Sequence, residues 1–139
     1  GMTFDGVFSS PLQRARKLAT FCGYEAATLD DRLREMNFGE WEGLLWADII
    51  QGEPVEQFFA RYIVEVPPGG ESLQMQYARV RDFLLEKKRA GYLQILVFCH
   101  GGVINCARAL TGEVKLSEAF ATLPDFGSVT HLDLKHLTD

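Results

Sequence analysis

The sequence predicts a three-layer α/β/α fold with a mostly parallel sheet. Three observations carry that expectation. Short apolar stretches alternate with segments of helical periodicity along the chain. Ile95-Leu96-Val97-Phe98 is apolar at every position, as a strand covered on both faces requires. His100-Gly101-Gly102 then turns that strand into a helix, the order found in parallel crossovers. With 139 residues, 47% of them hydrophobic, the chain reads as one domain, 1–139, able to bury its own core.

The elements follow in order. Val7-Phe8 is the first strand candidate and stops at Ser9-Ser10-Pro11. Ser10 suits an N-cap and Pro11 the first helical position. Leu12, Ala15, Ala19 and Cys22 recur at helical spacing, and Gly23 fits the terminator. Ala26 to Leu29 forms a second short strand. Residues 31–43 read as an irregular loop and residues 44–51 as a short helix. Val55, Phe58, Phe59 and Tyr62 mark another helical face. Pro67-Pro68-Gly69-Gly70 breaks the chain. The longest helix runs from about Glu71 to Arg89, with Leu73, Tyr77, Val80 and Leu84 on its buried stripe and Gly91 at its end. The helix after His100 turns Val103, Ile104, Ala107 and Leu110 inward and closes at Thr111-Gly112. A short helix near 116–122 and a strand near 128–134 complete the expected order.

Nineteen acidic against fourteen basic residues give a net charge of −5, a field that opposes nucleic acid and anionic membranes. No apolar run approaches a membrane span, and no secretory signal pattern is visible. Cys22, Cys99 and Cys106 are odd in number and match no zinc spacing, so cytoplasmic thiols are expected. Gly1 ahead of Met2 reads as a remnant of tag removal, which puts the natural start at Met2.

In open α/β sheets, ligands bind beyond the carboxyl ends of the strands. Two such ends carry chemistry. Ser9-Ser10 leads into the helix bearing Arg14 and Arg16. Cys99-His100-Gly101-Gly102 opens a helix whose first N–H groups and positive dipole end suit an anion. The imidazole can donate to a phosphate or relay a proton. Together these residues point to an oxyanion, most naturally phosphate, held by His100, an arginine and main-chain donors. Each also has a plain structural reading. Arg14 and Arg16 suit a solvated helix face, Glu35 a surface carboxylate, and Phe38, Trp41 and Phe58 packing anchors. No role is expected of His131 or His136. Cys99 beside His100 invites a cysteine-phosphatase reading, but Asn105 stands where that loop needs its arginine, with Arg108 beyond it.

Four motifs in sequence order add a resemblance. Ser9-Ser10-Pro11-Leu12-Gln13-Arg14-Ala15 resembles the S-S-x-L-x-R-A segment of the histidine phosphatase superfamily, which includes the phosphoglycerate mutases. Residues 33–43, LREMNFGEWEG, resemble its L-x-E-x-x-F-G-x-W-E-G loop. Pro68-Gly69-Gly70-Glu71-Ser72 resembles the P-x-G-E-S helix start, and residues 97–104, VFCHGGVI, the V-x-H-G-G-V-I strand end. The F-G-x-W-E-G and G-G-E-S forms, without long insertions, look most like alpha-ribazole phosphatase. Fructose-2,6-bisphosphatase and broad-specificity phosphatases are close relatives.

The resemblance implies transfer of a phosphoryl group to a histidine and then to water, with no metal and no cofactor. Arg14 matches the arginine that clamps the phosphate. Glu35 matches the acid that protonates the leaving alcohol. His100 matches the second histidine, which hydrogen-bonds the transferring oxygens. Ser10 and the Gly101 N–H complete the binding set. The family's nucleophile lies in an R-H-G-E motif on a central first strand upstream of the S-S-x-L-x-R-A segment. Only eight residues precede Ser9, and no Arg-His-Gly occurs in the 139 residues. The expectation is therefore a phosphoglycerate mutase-like fold missing its first strand, N-terminally truncated and impaired or inactive alone. Its partner is a small phosphorylated substrate or phosphate, and the exposed sheet edge suits a homodimer. The alternative is a non-catalytic domain that binds phosphate or a phospho-ligand.

Overall fold

Three short parallel strands set the frame: β1 (Gly6–Ser9), β2 (Thr28–Leu29) and β3 (Ile95–Phe98), in the order β2-β1-β3. The computed structural model describes residues 3–37, 39, 52–54, 57, 61, 67, 69–119, 124 and 127–137. Ser9 pairs with Leu29 on one side and Phe98 on the other, so the carboxyl ends of β1 and β3 finish level. Ser10 continues the ladder by donating its N–H to the Phe98 carbonyl at 2.8 Å.

Strand side chains alternate between faces. Phe8, Ile95 and Val97 join the larger core with Leu33, Met36, Leu73, Val80, Phe83 and Val103. Val7, Leu96 and Phe98 pack the other way, onto Ala15 and Ala19 of α1 (Gln13–Phe21). Helices α2 (Leu73–Arg89) and α3 (Gly101–Leu110) lie on the first face and pack together. The expected three-layer α/β/α arrangement with a parallel sheet is thus observed.

Several element ends match their chemistry. Gly91 takes φ +83° just past α2, a conformation that costs glycine little. The Ser72 side chain accepts from the Met75 N–H at 3.2 Å and caps α2, whose first residue, Leu73, lies two positions after the expected start at Glu71. The Asp30 side chain accepts from the Arg32 N–H and starts a 3₁₀ turn over Asp31–Leu33 within the expected loop.

Other expectations change. Helix α1 begins at Gln13 with Leu12 as its N-cap, not with Ser10 and Pro11. Ser10 is fully buried just past β1, its N–H bonded to β3, and its hydroxyl accepts from the Leu12 N–H at 3.2 Å. Tertiary pairing overrides the local capping preference here. Ile95, Leu96 and Val97 are only half-buried, so β3 is less covered than its apolar run predicts. Residues 128–133 form no strand. Leu132 and Leu134 pack against the main core without a backbone ladder, and Leu134–His136 is a 3₁₀ turn. Of the strand expected near 128–134, only Leu132 and Leu134 are half-buried, while residues 128–131 are exposed. Only Leu116–Glu118, a 3₁₀ turn, represents the short helix expected near 116–122 among the described residues. The helix at 44–51 and the face of Val55, Phe58, Phe59 and Tyr62 lie outside the described residues, as do Phe38, Trp41 and Pro68.

Candidate functional site

The level ends of β1 and β3 bring Ser10 and His100 together. His100 Nε2 lies 2.8 Å from Ser10 Oγ, and both side chains are buried. His100 is also the N-cap of α3, but its side chain makes no capping bond. The helix start is served instead by a distant residue. Glu35 Oε2 accepts from the Gly102 N–H at 3.2 Å, across 67 positions of sequence. A carboxylate there meets the positive end of α3. Gly101 lies between the two contacts as the first residue of the helix.

A side chain at Gly102 would displace the Glu35 carboxylate. A Cβ there would overlap Glu35 Oε1 and stand 3.1 and 3.2 Å from the amide atoms of Gln76. Gln76 Nε2 donates to Glu35 Oε1 at 3.1 Å, and the Met36 N–H donates to the same oxygen at 2.9 Å. The half-buried Glu35 carboxylate therefore has three donors on three segments: its own loop, α2 and α3. Gln76 is fully buried, and its carbonyl oxygen accepts from the Cys106 thiol at 3.7 Å.

Arg14 is exposed on the first turn of α1, and its charge acts on His100. Arg16 is exposed further along the same helix. Burial holds the His100 imidazolium below its ordinary 6.5; the Glu35 carboxylate pulls it up, while Arg14 and Arg79 push it further down. Burial also pushes the Cys99 thiol up to about 12, which removes the thiolate that a cysteine nucleophile needs. His131 is exposed.

The His100 shift has a consequence for folding. Its folded pKa is depressed, so the unfolded chain binds more protons once pH falls below 6.5. Stability should decline through that window and level off below the folded pKa. Urea midpoints at about pH 7.5 and about pH 5.5 measure this decline, and His100→Asn should flatten it. An equal decline in the variant would assign it to other groups.

Gln76, Arg79 and Glu71 are the site-lining residues that the motifs did not single out. Gln76 leaves one signal, a polar residue between Leu73 and Val80 on the stripe of α2 that faces the core. Glu71 lies within a quoted motif but without a role. Arg79 carries no signal in sequence alone.

Known proteins share the sequence pattern and the fold. Residues 1–138 match the profile of the histidine phosphatase superfamily (branch 1). A 2,3-bisphosphoglycerate-dependent phosphoglycerate mutase from Cytophaga hutchinsonii is 31% identical over 159 residues, covering 94% of this chain and 73% of its own. An alpha-ribazole phosphatase from Shigella flexneri superposes with a TM-score of 0.69 at 25% identity, covering 89% of this chain. A mycobacterial glucosyl-3-phosphoglycerate phosphatase in complex with inorganic phosphate superposes with a TM-score of 0.66 at 26% identity, covering 84% of this chain. This chain spans 64% and 63% of those two structures, less than two-thirds of either.

Proposed function

Because the chain belongs to the histidine phosphatase superfamily, we propose that it carries the phosphate-holding and proton-donating part of a phosphomonoesterase site. The observation that carries this reading is the convergence of Ser10, His100 and Glu35 on the start of α3. In it, Arg14 clamps the phosphate with its planar donors, and His100 donates to the transferring oxygens once Nε2 leaves Ser10. The Ser10 hydroxyl and the Gly101 N–H add neutral donors. Glu35 delivers a proton to the leaving alcohol. The site works by positioning and electrostatics, as phosphoryl transfer generally does.

The substrate class proposed is a small phosphomonoester of the alpha-ribazole phosphate kind, supported by the F-G-x-W-E-G and G-G-E-S forms and by the structural similarity to that phosphatase. Free thiols at Cys22, Cys99 and Cys106 support a cytoplasmic setting. No Arg-His-Gly occurs in the 139 residues. The nucleophilic histidine of the complete reaction is thus not among His100, His131 and His136, and this chain alone binds phosphate without hydrolysing esters efficiently. That same absence favours the second reading, a domain that only binds phospho-ligands.

Calorimetric titration with inorganic phosphate tests the shared part of both readings. Saturable binding is expected, with Arg14→Ala and His100→Ala each weakening it about tenfold or more, the worth of one charge-assisted hydrogen bond. Binding unchanged in both variants would overturn the site.

A further inference from the structure

The P-G-G-E-S motif starts a helix, yet its glutamate does more than open α2. Glu71 accepts from Arg79 twice, at 2.6 Å to Oε1 and 3.3 Å to Oε2. The Asn37 N–H donates to Glu71 Oε1 at 3.0 Å, and the Glu71 N–H donates to the Asn37 carbonyl at 2.8 Å. Arg79 in turn donates to three carbonyls of the same loop: Arg32 and Arg34 at 2.7 Å each, and Glu35 at 3.3 Å. A guanidinium has five N–H donors in a fixed plane. Two carboxylate contacts and three carbonyl contacts use all five.

The loop they hold needs this help. Residues 34–37 belong to no helix or strand, so their carbonyls have no ladder of their own. The Arg79 and Glu71 side chains are 20% and 15% exposed, which shields the pair from the solvent screening that weakens surface ion pairs. Arg79 is one helical turn from Gln76, so the same face of α2 grips the Glu35 carbonyl with one residue and its carboxylate with the other.

We propose that Arg79, oriented by Glu71, is a positioning residue that sets the Glu35 carboxylate against the start of α3. This rests on reading Glu35 as the proton donor. A lysine replaces the arginine only in part, because its three donors on a point charge cannot span three carbonyls and a carboxylate.

The test follows the Gly102 amide in ¹⁵N spectra of the 139-residue chain, because that N–H reports where the Glu35 carboxylate sits. Glu35→Ala provides the reference, in which the Gly102 N–H loses its acceptor, moves upfield and exchanges about tenfold faster. Arg79→Met should reproduce that Gly102 signature while Val103 and Cys106, on the same helix, keep wild-type shifts. Arg79→Lys should fall about half-way. Wild-type values at Gly102 in Arg79→Met would overturn the proposal; if that variant does not fold, the same result in Arg79→Lys would do so. Changes spread equally over Val103 and Cys106 would also overturn it, by showing a merely structural role. The amide readout needs no substrate, so failure of the clamp is separable from failure of the proton-donor assignment, which phosphate titration and ester hydrolysis address.

Discussion

The 139-residue chain should hydrolyse a phosphomonoester at least ~10⁴-fold more slowly than a superfamily phosphatase that carries the Arg-His-Gly motif, assayed beside it. The reaction implied by the family splits hydrolysis into transfer to a histidine and transfer to water. On the proposed reading the 139 residues hold no such histidine, and only direct attack by water is left to them. His100 is badly placed to substitute. It is 9% exposed, and its Nε2 is 2.8 Å from the buried Ser10 hydroxyl. What remains is binding and charge stabilisation, which leave some rate above the uncatalysed reaction. Turnover at the full superfamily rate would overturn this expectation.

The largest stability loss is expected at Phe83. Its ring is fully buried and meets Phe8 of β1 edge to face, with centroids 5.5 Å apart. Lys87 Nζ lies 5.2 Å from its centroid and the Arg32 guanidinium carbon 5.4 Å. Phe83 thus joins α2 to the sheet on the helix that presents Gln76 and Arg79 to the Glu35 loop. Phe83→Ala should cost about 3–5 kcal/mol through lost transfer energy and an uncollapsed cavity. Against a typical total of about 5–15 kcal/mol, that leaves the chain near or past its unfolding threshold. Leu93→Ala is the control, because Leu93 is 95% exposed and its loss should change the urea midpoint little. Equal effects of the two substitutions would contradict this placement of the core.

Much of the fold is legible because its signals are local. Ile95–Phe98 reads as a strand from composition, and Gly23, Gly91 and Gly112 follow helix ends with positive φ. The features that were not legible depend on contacts far apart in sequence. Ser10 has the chemistry of an N-cap, but the Phe98 carbonyl and the His100 ring, roughly ninety positions away, claim its N–H and place its hydroxyl in the site. Residues 128–134 alternate like a strand, but alternation reports side-chain burial and not a backbone partner. At the site, motif similarity picked out Glu35 and His100. It was silent on Gln76 and Arg79, which act by holding another residue and sit on a helix whose periodicity is that of any packed helix.

On the proposed reading, a phosphate seat lies where the ends of β1 and β3 meet the start of α3. Following amide and imidazole resonances while inorganic phosphate is added tests it most directly. Saturable shifts are expected at Ser10, the His100 ring, Gly101 and Gly102, all with one dissociation constant. Phosphate binding that leaves those four resonances in place, or no saturable shift at any of them, would contradict that reading.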